Sequence, residues 1–300
     1  MTSELNDVPQ QTGGARLYDT NVAQTWQEKW QELVHYRSLL KNSVIRDVKV
    51  RYKNSFLGIL WSLLNPLLMM VVYTVLFTIL IPNNSIRMYP IFILVALIPW
   101  QFFSGSLMGG AVSITSNASL VRKVYFPRIM LPTSVLLSNL VNFLLAFSVL
   151  LVLLFGFGIG LTIHALWVPP ILLTQLIFML GLMMLLGTVH VFYRDVVMVL
   201  DVVILAWFFL TPIFYPFERL GESATIMGIT FSPAVVMRWL NPMASIIDGY
   251  RTVLWGTENS NGPVSMDPSY LLRTFVTAVI VFVIGYFVFQ RYEQSFAEKL

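Results

Sequence analysis

Cysteine is absent from all 300 residues, and charged side chains make up only 11% of them. The first absence excludes disulfide frameworks, thiolate nucleophiles and cysteine-ligated zinc or iron-sulfur centres. The second, set against roughly one-quarter charge in an ordinary globular chain, excludes disorder and argues against a conventional soluble domain. Histidine is also sparse: His35, His164 and His190 lie far apart, and neither an HExxH motif nor a GxxxxGK[ST] phosphate loop occurs. Zinc hydrolysis and ATP hydrolysis by this chain are therefore not expected, nor is the acidic motif of a membrane-embedded transferase found. What fills the sequence instead is 57% hydrophobic residues, with a mean hydropathy of +0.73.

The apolar residues fall in blocks. Segments 56–81, 89–112, 132–159, 167–189, 196–213 and 274–289 carry no charge apart from Asp201 in the fifth. About 20 apolar residues in a helix cross roughly 30 Å of hydrocarbon, so the pattern predicts an all-α integral membrane protein with six transmembrane helices. Pro66 is expected to kink the first span or to mark an interfacial turn before it. Pro99, Pro169 and Pro170 are tolerable where neighbouring helices satisfy the freed carbonyls. No short apolar signal sequence opens the chain, so the N-terminus is expected to be retained.

Lys and Arg set the orientation. Arg37, Lys41, Arg46, Lys49, Arg51 and Lys53 precede span one; Arg122, Lys123 and Arg128 lie between spans two and three, and Arg194 between four and five. The intervening connections hold only Arg87. Both termini are thus expected in the cytoplasm of a multi-pass inner-membrane protein.

Five segments are neither span nor simple loop. Residues 1–30 read as a flexible cytoplasmic leader and 291–300 as a cytoplasmic tail, flanking a 56–290 membrane domain. In 31–55, Leu40, Val44, Val48 and Tyr52 recur every four residues, the signature of an amphipathic interface helix. Its cations either anchor it to anionic lipid, a nearer counter-ion than nucleic acid, or also handle a charged substrate. The loop 116–132 mixes Arg122, Lys123 and Arg128 with Tyr125 and Phe126, which are expected to pack either on the chain itself or into a partner protein. Residues 217–270 are expected outside, with short helices before the last span; Asp248 and Arg251 share a helix face there and read first as an ion pair.

The chain lacks an energy source of its own, and no internal repeat points to a gradient-driven transporter. Its motifs supply one by resemblance. RDVKVRYKNSFLGILWSLLNPLL at 46–68, VRKVYFPRIMLP at 121–132, YRD at 193–195, TPIFYP at 211–216 and the Asn241-Pro242 to Arg251 segment are similar to membrane subunits of type 2 ABC transporters. The branch resembled exports lipid-linked polysaccharides such as O-antigen, capsule and teichoic acid. The resemblance implies a homodimeric pore with two copies of a separate ATP-binding cassette subunit, which carries the ATP and Mg; this chain carries no cofactor. It implies substrate access at Arg46, Lys49, Arg51, Tyr52 and Lys53, and an external gate around Asn241, Pro242, Asp248 and Arg251. ATPase coupling falls to Arg122, Lys123, Tyr125, Phe126 and Arg128, with the two aromatics expected to be buried in the partner. A sugar path needs weak, repeated stacking sites, for which Trp61, Tyr73, Phe77, Trp207, Phe208 and Tyr215 are candidates, with Trp100, Phe102 and Phe103 beside them. Small-molecule or drug export by the same class of permease is the alternative.

Overall fold

The computed structural model describes residues 35–53, 55–80, 86–124, 126–220, 223–226 and 229–300. The leader and Tyr125 lie outside the described residues. Helix α1 (Arg37–Tyr52) half-buries Leu40, Val44, Val48 and Tyr52 and leaves Arg46, Lys49, Arg51 and Lys53 exposed, so the four-residue period is its packed face. A 3-10 turn at Gly58–Leu60 separates it from α2 (Trp61–Val75), which continues as a π turn through Leu76–Leu80. The break expected near Pro66 falls earlier, at Gly58, whose φ of +51° suits a residue without a Cβ. Pro66 itself lies inside α2.

Helix α3 (Tyr89–Val112) is the hub. It packs against α2, α5 (Met130–Gly156), α6 (Val168–Phe192), α7 (Val196–Phe209) and α9 (Pro242–Leu254). In the most apolar stretch of α3, 78% of residues are buried, against 6% in α2. A helix hydrophobic all round is expected to be enclosed, and α3 is enclosed by protein, whereas α2 turns apolar side chains outward. The short α4 (Ala118–Lys123) lies in the loop after α3, and α10 (Pro268–Tyr292) is followed by α11 (Phe296–Lys299).

Among the described residues, five helices are long and apolar enough to cross a membrane. The expected span 196–213 is helical only as α7, a shorter apolar helix of 14 residues, about 21 Å at 1.5 Å per residue. Thr211 precedes Pro212, a position where helical backbone is disfavoured, and the chain turns there with Ile213 N–H donating to Thr211 O at 2.7 Å. Residues 217–270 contain the expected short helices, α8 (Pro233–Leu240) and α9, and also an antiparallel hairpin of β1 (Ala224–Ile226) and β2 (Ile229–Phe231), with Thr225 paired to Thr230. The β-branched Thr225, Ile226, Ile229 and Thr230 suit strand geometry.

Helices α6 and α10 form the most extensive helix pair. Gly181 lets them meet: a Cβ there would lie 2.6 Å from the Phe282 backbone, and one at Gly285 would strike the Gly181 carbonyl. Membrane helices that lack a hydrophobic drive to associate use such small residues to bring backbones together. Gly285→Val is therefore expected to lower the melting temperature of the detergent-extracted protein by roughly 5 °C or more, from overpacking. An unchanged melting curve would show that the pair does not need this close approach.

Candidate functional site

Where α1 ends, its side chains meet a cleft of about 430 Å³ between α2, α3 and α5. Arg51 and Tyr52 come from α1, Trp61 and Asn65 from α2, Gln101 from α3, and Asn139 and Asn142 from α5. The Tyr52 hydroxyl donates to Asn142 Oδ1 at 2.5 Å, and Ser138 Oγ donates to Val44 O at 3.4 Å. These bonds seat the interface helix on a membrane-length helix. Trp61 keeps 45% of its surface exposed, leaving ring area free at the cleft. Of the five residues expected to admit substrate, the structure brings Arg51 and Tyr52 to this cleft. Arg46 instead pairs with Asp47 at 2.9 Å and donates to Asn117 Oδ1 at 3.3 Å, tying α1 to the loop after α3. Lys49 and Lys53 remain exposed.

The sequence reading missed Asn65, Gln101, Asn139 and Asn142. It located spans by the absence of charge, so neutral amides within them carried no weight. Their signal was present: amides inside apolar runs are costly unless used.

The aromatic candidates divide. Tyr73, Phe77, Trp207 and Phe208 converge with Trp100 and Phe214, with centroid separations of 4.9 Å for Tyr73 and Phe214, 5.1 Å for Phe77 and Phe214, and 5.4 Å for Trp100 and Phe208. Trp207 packs edge-on to Phe103 at 5.0 Å. Within one chain these rings stack on each other, welding α2, α3 and α7 together. Phe102 stacks at 4.9 Å on Phe143 and borders the cleft. Tyr215 belongs to another constellation.

That constellation joins the turn after α7 to α9. Asn241 caps α9, its Oδ1 accepting from Ala244 N–H at 3.1 Å and from the Trp207 indole at 2.8 Å, while its Nδ2 donates to Thr211 Oγ1 at 3.0 Å. Pro242 follows at the first helical position, where its missing N–H costs nothing. Arg251, 2% exposed, donates to Pro212 O at 2.8 Å, Ile213 O at 2.9 Å and Tyr215 O at 3.2 Å. Its guanidinium also lies 3.8 Å from the Phe92 ring centroid. The expected Asp248 and Arg251 pair is not formed: Asp248 pairs with Arg238 at 3.1 Å, because α8 brings Arg238 alongside α9 while Arg251 turns toward the carbonyls after α7. Burial pulls the Arg251 guanidinium down to about 10, with Asp248 and Glu218 opposing, so it stays protonated at neutral pH. Burial pushes the Asp248 carboxyl up, against the pull of Arg238 and then Arg251.

In the loop 116–132, Phe126 is only 4% exposed and packs with Val121, Met130, Leu131, Phe289 and Phe296 of its own chain. The expectation that it would be buried in a partner is not met, since its own core already takes it. Arg122, Lys123 and Val124 are exposed, and Arg128 is half-buried.

Replacing Arg251 by Met removes three carbonyl partners at once. A loss of several kcal/mol is expected for breaking a buried charged hydrogen-bond set, on the order of 3–5 kcal/mol for a comparable buried pair. Arg251→Lys is expected to rescue this only partly, because an ammonium lacks the planar fork. Melting curves of the two variants beside wild type check the order; equal stability of all three would overturn it.

Comparison with known proteins places this geometry. The family described as "ABC-2 type transporter" matches residues 38–255, spanning α1 through the end of α9. The chain is 36% identical over 270 residues to the O-antigen export system permease protein RfbA of Myxococcus xanthus, covering 90% of this chain and 98% of the relative. It is 32% identical over 256 residues to the protein of the same description from Klebsiella pneumoniae, covering 85% and 92%. With a family match over most of its length and near-complete alignment to such permeases, this chain belongs to the ABC-2 type transporter family.

Proposed function

We propose that this chain is the membrane subunit of an ATP-driven exporter of a lipid-linked polysaccharide. The observation that carries this reading is the 36% identity over 270 residues, 98% of the length of an O-antigen export system permease protein. The cleft at the end of α1 agrees with it: an arginine stands at the membrane-surface helix, where a lipid-borne phosphate arrives, and neutral polar side chains continue inward from it. Two copies of the chain form the pore, with the apolar outer surfaces of α2 and α7 facing lipid or each other, and two separate ATP-binding subunits drive it. Six spans follow if α7 and the turn after it cross together, with both termini in the cytoplasm and residues 217–270 outside, where Asn241, Pro242, Asp248 and Arg251 brace the external gate.

Coupling to the ATPase is assigned to the exposed edge of the 116–132 loop, with Arg122, Lys123 and Val124 as contacts and Phe126 as the buried support beneath them. The bond from Arg46 to Asn117 links this edge to the interface helix.

Three outcomes are expected. Single cysteines placed at the exposed Ser119 and Asn259 should differ in intact cells, with an impermeant thiol reagent labelling position 259 only; the reverse would invert the topology. Arg122→Glu with Lys123→Glu should cut permease-stimulated ATP hydrolysis several-fold at unchanged melting temperature, whereas Phe126→Ala should lower stability itself by ~3–5 kcal/mol. Intact stimulation in the double charge reversal would remove this edge from the interface. In vesicles holding the permease and its ATPase, export of a preformed lipid-linked polymer should require ATP and fall in the order wild type, Arg51→Lys, Arg51→Gln, because only a guanidinium grips phosphate oxygens in a fork. Export of small amphiphilic drugs without any polymer transport would overturn the assignment.

A further inference from the structure

The cleft holds polar atoms that access by a phosphate does not use. Asn139 is 5% exposed, and its Nδ2 is buried without a hydrogen-bond partner. The Nδ2 of Asn142 is in the same condition, although its Oδ1 accepts from Tyr52. The two residues are three apart on α5, which puts their side chains about 5–6 Å apart on one helix face. Buried amides are costly to leave unpaired, and the chain satisfies them elsewhere. Gln175 donates to Pro99 O at 2.9 Å and accepts from the Tyr250 hydroxyl at 3.1 Å. The other buried polar atoms without a partner among the described residues, such as Ser106 Oγ and Arg251 Nε, do not line the cleft. Asn139 and Asn142 put two such donors on one of its faces, where Gln175 shows an amide fully used.

We propose that this cleft is a glycosyl subsite, which holds the sugar unit next to the carrier phosphate. Asn139 and Asn142 donate from Nδ2 to its oxygens, the exposed ring of Trp61 covers its C–H face, and Arg51 meets the phosphate at the mouth. The proposal rests on the polysaccharide-export reading and names what that reading leaves open, the group recognised within the membrane. The lining chemistry selects a sugar over a second anion. Among the lining residues Arg51 is the cation, whereas Asn65, Gln101, Asn139 and Asn142 are amides. An amide presents both a donor and an acceptor, the same pairing that a hydroxyl offers in return; a phosphate lodged among them would face their carbonyl oxygens. The volume, about 430 Å³, falls in the range of small-molecule sites, roughly 300–1,000 Å³. The bond from Tyr52 sets the amide plane of Asn142 from the interface helix, so the donors are arranged before the ligand arrives.

The test uses the full chain with its ATPase in lipid nanodiscs and two probes, a polyprenyl phosphate carrying one hexose and the same polyprenyl phosphate without it. Wild type is expected to bind the hexose-bearing probe roughly tenfold more tightly, as two added hydrogen bonds would give. Asn139→Leu with Asn142→Leu is close in shape and removes both donors. It is expected to bring the two affinities to within about twofold, with some loss of melting temperature from the broken Tyr52 bond. Asn139→Leu alone, which breaks no bond to Nδ2 in the fold, is expected to weaken the hexose preference, leave the sugar-free probe unaffected and melt no lower than wild type. Arg51→Gln is expected to weaken both probes alike. A hexose preference that survives in the double variant overturns the subsite, and so does a wild type without any preference. If wild type shows no preference yet exports polymer in vesicles, the subsite alone falls. If it binds neither probe and exports nothing, the export reading falls and takes the subsite with it.

Discussion

A guanidinium that is 2% exposed inside a chain built to meet lipid has to find its partners within the protein. Arg251 finds them in the carbonyls of Pro212, Ile213 and Tyr215, the stretch where α7 has ended and no helical N–H groups are available to those oxygens. The orphans on each side are what hold the other in place: the carbonyls keep the charge buried, and the charge keeps the turn from unravelling into the apolar phase. Asn241 repeats the device at the start of the same helix, joining the end of α7 to α9 through Trp207, Thr211 and Ala244. With both ends of the turn fixed, α9 is pressed against α3, α6 and α10. Helix α9 is thereby part of the core rather than a loose cap.

That arrangement explains the unequal burial of the helices. Helix α3 is surrounded because α9 covers one side that lipid would otherwise reach, and α10 comes close to α6 because Gly181 and Gly285 remove the side chains between them. Helices α2 and α7 share the aromatic cluster around Phe214 as an attachment to this core, beside the packing of α2 on α5 and of α7 on α6. The rest of their circumference carries exposed Leu68, Val71, Val72, Val75, Met198, Val199, Val202 and Leu205. Apolar surface on this scale is stable only against lipid or against another apolar face. The aromatic rings proposed to line a path are therefore spent, within one chain, on fastening these two outward helices to the hub.

The positions of the membrane helices were legible because lipid imposes a long, charge-free pattern that needs no tertiary context, and the face of α1 was legible from the spacing of Leu40, Val44, Val48 and Tyr52. The end of α7 could have been read from Thr211 preceding Pro212, had backbone geometry been weighed above hydropathy. Pairing was less visible. Arg251 and Asp248 are correctly spaced for an ion pair on α9, yet the nearer claims came from Arg238 on α8 and from carbonyls some 40 residues upstream, and no local pattern encodes such a competition. Phe126 illustrates the same gap: its sequence neighbours are cations, but Phe289 and Phe296, far along the chain, already bury it.

Neutral amides in the spans show how structure separates two uses of one residue type. Gln175, Asn139 and Asn142 look alike in sequence, single polar residues in long apolar runs. Gln175 bridges Pro99 of α3 and Tyr250 of α9, so it closes a network and serves the fold. Asn139 and Asn142 sit on the cleft face of α5, one held on its oxygen by the interface helix and both with Nδ2 unspent. Arg251 Nε and Arg238 Nε are unpaired too, so want of a partner does not by itself mark a binding group; what sets Asn139 and Asn142 apart is that both unspent donors line one cleft. Because the cleft opens beside Arg51 at the end of α1, a lipid-linked ligand held by its phosphate at that arginine would place its next group against these two amides.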